Sequence, residues 1–99
     1  DTIKVGGQLV WAAEVEEVLL RYPGIREAAA IGVPDELRGE VVKCYIAPVD
    51  SIDLDKNELM EYLRNNLAKF KLPKDIIILN ELPKTGSGKV NKAALQEFN

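Results

Sequence analysis

Histidine is absent from the chain, and cysteine and tryptophan occur once each. Without histidine there can be no Cys/His zinc site and no histidine-based catalytic dyad or triad. No cluster of metal ligands stands out, so no metal site is expected. The lone Cys44 excludes an internal disulfide, and its place in an apolar run reads as a small buried hydrophobe, not a nucleophile. No apolar run approaches the roughly 20 residues that span a bilayer. No secretory signal is visible and Asp1 reads as a cut inside a longer chain, so the expected compartment is the cytoplasm. The net charge of −3 does not favour a nucleic-acid partner, which calls for a basic surface, although a local basic patch stays open. Internal repeats and low-complexity stretches are also missing.

What is present suits one folded unit. The 99 residues allow a single domain, 1–99, with one modest core, and 46% hydrophobic with 29% charged residues is ordinary for a folded chain. Val15, Val18, Leu19 and Tyr22 recur at helical spacing within Ala12 to Tyr22, and Pro23-Gly24 ends that helix. Ile25 to Val33 and Val41 to Ala47 read as an antiparallel strand pair joined by the short loop Pro34 to Gly39, with Pro48 as the stop. Asp55 and Glu58 have the spacing of a capping box ahead of a helix with Met60, Leu63, Leu67 and Phe70 on its apolar stripe. Ile76 to Leu79 reads as a short strand covered on both faces, and a helix between strands implies a parallel, right-handed crossover. Asn91 is placed to cap a last helix from Lys92 to Phe98. The expected fold is α+β: a small mixed sheet of about three strands packed with helices.

Chemistry concentrates in Leu82 to Val90, where Gly86-Ser87-Gly88 is followed at once by Lys89. Glycines permit unusual backbone angles and close approach of a ligand. A lysine at such a tip suits a phosphate or carboxylate. The stretch is not a P-loop: Pro83 stands where the first glycine belongs, and Val90 replaces the Ser/Thr that would hold magnesium. A solvated turn with lysines nearby and a ligand-binding loop both remain open on these residues alone. Gly6-Gly7, ahead of Glu14-Val15-Glu16, leaves the same choice between a plain turn and a passage for a thin ligand.

Taken in order, these segments resemble the C-terminal domain of the adenylate-forming superfamily, which includes acyl- and aryl-CoA synthetases. The resemblance runs through D-x-I-K-x-x-G at Asp1 to Gly7, E-V-E at Glu14 to Glu16, and G-x-P-D-x-x-x-G-E at Gly32 to Glu40. It continues in L-A-x-F-K-x-P at Leu67 to Pro73 and L-P-K-T-x-S-G-K at Leu82 to Lys89. Ala12 departs from the family's frequent proline, and Lys92 stands where arginine is common. The family's hinge residue would precede Asp1. Trp11, beside the glycine pair, reads equally as core or interface.

The resemblance implies a mobile C-terminal lid domain in an ATP-dependent acid–CoA ligase. The acid first attacks the α-phosphate of ATP, and CoA then displaces AMP while the small domain has turned another face to the large one. Lys89 matches the lysine of the first step, on a loop of Gly86, Ser87 and Gly88 whose glycines would let it be delivered and withdrawn. Gly6 and Gly7 match the turn bordering the pantetheine tunnel, and Arg38, Phe70 and Lys74 the contacts to the nucleotide of CoA. Phe70 also has a plain reading as core, since it continues an apolar stripe, and Arg38 and Lys74 as solvated cations. ATP and Mg2+ would be held mostly by an N-terminal domain not contained in these residues, which makes the 99 residues alone inactive. Pro83 to Lys89 is also similar to a lysine acetylation site in such enzymes, implying an acetyltransferase partner for Lys89. Thr85 and Ser87-Gly88-Lys89 favour a CoA ligase over an adenylation domain that loads a carrier protein. A non-catalytic binding module is the alternative of another class.

Overall fold

A computed structural model describes residues 1–50 and 52–97. Its sheet has five strands, not three: β1 (Thr2–Val5), β2 (Gln8–Trp11), β3 (Ile25–Asp35), β4 (Gly39–Pro48) and β5 (Asp75–Ile78). The helices are α1 (Ala12–Leu20), α2 (Lys56–Asn66) and α3 (Lys92–Leu95), with a single 3-10 turn at Lys69–Lys71. The strands missing from the sequence reading are β1 and β2, each four residues long. Segments that short carry too little alternation to announce a strand. They form a hairpin closed by Gly6 and Gly7, both at positive φ (56° and 82°). A two-residue hairpin with both central residues left-handed is the turn that matches strand twist, and glycine supplies it without strain.

The β3–β4 pair is the long antiparallel spine, in register from Glu27↔Ala47 to Asp35↔Gly39. β5 runs parallel to β4 from Lys43↔Asp75 to Ile46↔Ile78, the parallel sense expected of the crossover through α2. β1 meets β4 at Val5↔Gly39. Side chains alternate across the spine, and the alternation sorts the core into two halves. Ala30, Val42, Cys44 and Ile46 point to one face, where α1 and α2 cover them with Val15, Val18, Leu19, Leu59 and Leu63. Ala29, Ile31, Tyr45 and Ala47 point to the other, where Leu82 and Leu95 close over them. β5 serves both halves, with Ile76 packed in the first and Ile77 against the second.

Asp55 caps α2 by accepting from the Asn57 and Glu58 N–H groups, at 2.8 and 3.3 Å. The buried side of α2 is Leu59 and Leu63, with Met60 partly covered, and the helix ends before Leu67 and Phe70, which pack from the following turn. Asn91 caps α3 through the Ala94 N–H at 3.1 Å. That helix ends at Leu95, earlier than expected, and Phe98 lies outside the described residues. Among the described residues no helix is long and apolar enough to cross a membrane.

Candidate functional site

Lys89 sits on a closed hairpin. The Thr85 N–H donates to the Lys89 carbonyl at 2.7 Å, and the Gly88 N–H to the Thr85 carbonyl at 3.0 Å. Lys84 and Val90 pair just below. Gly88 has φ 88°, the left-handed position of a three-residue hairpin loop with a bulge, whereas Gly86 meets no such demand. Hydrogen bonds close the loop, and Gly88 answers a backbone need. Thr85 and Ser87 hydroxyls lie 3.1 Å apart across the turn. Lys89 is exposed, and its ammonium has no ion-pair partner among the described residues.

The base of this hairpin is fixed more firmly than its tip. Leu82 is buried in the second half of the core and Val90 packs beside it. The Tyr45 hydroxyl donates to the Leu95 carbonyl at 2.9 Å, holding α3 beneath. Glu27 reaches from β3 to accept the Leu82 N–H at 3.2 Å and forms an ion pair with Lys84. Burial alone would raise the Glu27 carboxyl. The Lys84 hydrogen bond, the Leu82 N–H and the charges of Lys84 and Arg26 outweigh it and hold the group below its ordinary value. Lys92, three positions past Lys89, pairs with Asp1 and, at 2.8 Å, with Glu16.

The other CoA-related positions gather elsewhere. A groove of about 770 Å³ is lined by Arg38, Phe70 and Lys74 together with Val5, Gln8 and Leu72. Gly6 and Gly7 sit at its end: their flanking residues line it, and the Gly6 N–H donates to the Arg38 carbonyl at 2.8 Å. Asp35 organises the Arg38 turn by accepting the Arg38 and Leu37 N–H groups at 2.9 and 3.2 Å, and Lys74 lies 3.4 Å away. The Arg38 N–H, aided by Lys74 and the Leu37 N–H, holds the Asp35 carboxyl below the usual range despite an opposing desolvation effect. The Phe70 ring packs against the first half of the core, as the plain reading expects, and also lines the groove.

Arg64 and Lys69 add further cations to the groove wall, and the sequence reading missed both. A count of basic residues around Phe70 would have flagged Lys69, but Arg64, on α2, joins only through tertiary packing. Trp11 is 58% exposed on β2, which removes the core reading. Cys44 is buried, and desolvation, with the Glu16 charge nearby, pushes its thiol far up, so it is no nucleophile. Among the described residues no group of three or more His, Cys, Asp or Glu is arranged to hold a metal ion.

The fold and the site define a class: a small α+β domain with a lysine hairpin rooted in one half of its core and a cationic groove lined by Phe70 from the other. The chain belongs to the AMP-binding enzyme C-terminal domain family, whose model matches residues 14–89. It is 44% identical over 96 residues to a feruloyl-CoA synthase from Amycolatopsis sp, covering 97% of this chain and 20% of that protein. It is 40% identical over 93 residues to an indoleacetate–CoA ligase from Aromatoleum aromaticum, covering 94% and 18%. Apo MatB from Rhodopseudomonas palustris superposes with a TM-score of 0.93 at 36% identity, covering 98% of this chain and 19% of that one. The o-succinylbenzoate CoA synthetase MenE of Bacillus subtilis, solved with its acyl-adenylate intermediate, gives 0.91 at 33% identity, covering 100% and 20%. The chain thus spans about a fifth of the length of the relatives it matches.

Proposed function

We propose that the chain is the C-terminal domain of an AMP-forming acid–CoA ligase and that its two sheet faces serve the two half-reactions in turn. The observation that carries this reading is that the Lys89 hairpin is rooted in the second half of the core through Leu82 and Val90, while the groove's apolar lining, Met60, Phe70 and Leu72, belongs to the first. A rigid domain with its functional groups so divided must turn between steps to use both.

In the first step Lys89 bridges the carboxylate of the acid and the α-phosphate of ATP. Negative charge accumulates there as the carboxylate oxygen bonds to phosphorus and pyrophosphate leaves. A positioned ammonium stabilises that charge and holds the reactants in line. A hairpin closed by hydrogen bonds suits this task, because its geometry is set before the substrates arrive. Magnesium, ATP and the acid are held mainly by an N-terminal domain, so these residues do not turn over alone.

In the second step the groove takes the nucleotide of CoA, and the pantetheine arm passes Gly6 and Gly7. Phe70 offers a face for adenine, while Arg38 and Lys74 meet phosphates. The thiol then attacks the acyl carbonyl and AMP leaves. The groove's cations favour CoA, with its phosphorylated nucleotide, over a carrier protein. We place the enzyme in the cytoplasm, where ATP and CoA are supplied.

The test separates the half-reactions in the full-length enzyme. Lys89→Ala should abolish acid-dependent ATP–pyrophosphate exchange and spare thioester formation from supplied acyl-AMP. Lys89 is exposed and so open to an acetyltransferase. Acetylation removes its charge and should reproduce the same split.

A further inference from the structure

The strand β3 begins with an irregularity. Its register against β4 shifts between Ile25 and Glu27. Such a bulge re-aims the side chains around it. Here both neighbouring charges turn onto one segment. The Arg26 guanidinium donates to the Asn80 carbonyl at 2.8 Å. Glu27 accepts the Leu82 N–H at 3.2 Å and pairs with Lys84, whose ammonium also donates to the Leu82 carbonyl at 3.0 Å. The alternation of the spine puts Glu27, opposite Ala47, on the same face as Ala29 and Tyr45, the face closed by Leu82. The paired side chains of Glu27 and Lys84 are only 14% and 30% exposed, so water screens them less than an open surface pair.

Lys84 is also the residue that pairs with Val90 at the neck of the Lys89 hairpin. The clamp therefore ends on the strand partner of the segment that carries Lys89. We infer that Glu27 is a positioning residue for adenylation: through Lys84 it fixes where the hairpin stands on the sheet, and hence where the Lys89 ammonium falls. This rests on Lys89 being the adenylation lysine. Glu27 touches neither substrate. It should matter only in the step that uses the hairpin, because the groove takes its apolar lining, Met60, Phe70 and Leu72, from the other half of the core.

The experiment uses the full-length enzyme and measures both half-reactions for Glu27→Gln, Lys84→Met, Lys84→Arg and Lys89→Ala. Gln keeps an acceptor for the Leu82 N–H and loses the charge pair. Lys84→Met leaves Glu27 and its backbone contact in place, and so answers the question if Glu27→Gln does not fold. Glu27→Gln and Lys84→Met should slow ATP–pyrophosphate exchange by about 10- to 100-fold, the scale of a misplaced catalytic group. Thioester formation from supplied acyl-AMP should stay within about twofold, well below that scale. Lys84→Arg keeps the cation and should recover most of the exchange rate. Wild-type exchange in both charge-removing variants, or equal loss of both half-reactions, would overturn the inference. Lys89→Ala tells the levels apart: if it loses exchange while Glu27→Gln and Lys84→Met do not, the positioning role alone fails. If Lys89→Ala keeps exchange, the reading beneath fails as well.

Discussion

Gly7 carries demands from two levels at once. Its φ of 82° calls for glycine on backbone grounds, and a Cβ there would meet nothing within 4 Å in this domain. Crowding inside the domain therefore does not explain the residue, while the turn does. Gly7→Leu should cost the domain about 1 kcal/mol of stability from left-handed strain, read as a lowered thermal midpoint. If the turn also borders the pantetheine passage, the same variant slows thioester formation far more than exchange. Gly7→Asn, which tolerates the left-handed region, should keep most of the stability. Thioesterification at the wild-type rate in Gly7→Leu would remove the tunnel assignment. Cys44 gives a simpler expectation. A thiol this buried, with its ionisation pushed up, should resist alkylation in the folded domain and react once denatured. Rapid labelling at neutral pH without unfolding would contradict the buried site. Glu27 adds a pH dependence. Its folded value lies below the ordinary carboxylate value near 4.5. The pair's stabilisation is thus complete above that value and is lost as pH falls through the lower, folded one.

Among the elements, α2 has the plainest local origin. Asp55 satisfies two N–H groups that would otherwise lack partners, and Leu59 and Leu63 then anchor the helix. Asp55→Ala should destabilise the domain by about 1 kcal/mol in chemical denaturation, and an unchanged midpoint would show the cap to be dispensable. This helix, α1, the β3–β4 pair and β5 were legible because each spans enough residues for a period or a turn signal to show. The β1–β2 hairpin was not, since its strands are too short to display alternation and its glycine pair was read as a turn ahead of a helix. The site divides the same way. Lys89 and the glycine pair stand out in local sequence. The Glu27–Lys84 clamp joins residues 57 positions apart, and Arg64 enters the groove through tertiary packing; neither leaves a local trace.

For the molecule as a whole, the decisive feature is a sheet whose two core halves root different chemistry. Tyr45 and Leu95 support the lysine hairpin from below, while Phe70 and the cations around it line the groove. Trp11 and Leu9, exposed on β2, add apolar surface to the hairpin that carries Gly6 and Gly7. None of this requires the domain to deform. Two rigid faces presented in alternation account for a hairpin that is hydrogen-bonded shut and a groove that is already open. The central claim is that the faces can be silenced separately, and Lys89→Ala in the full-length enzyme tests it most directly. The account predicts a loss of ATP–pyrophosphate exchange of about 100-fold or more, with thioester formation from supplied acyl-AMP retained. Equal loss of both half-reactions, or exchange that survives the substitution, would contradict it.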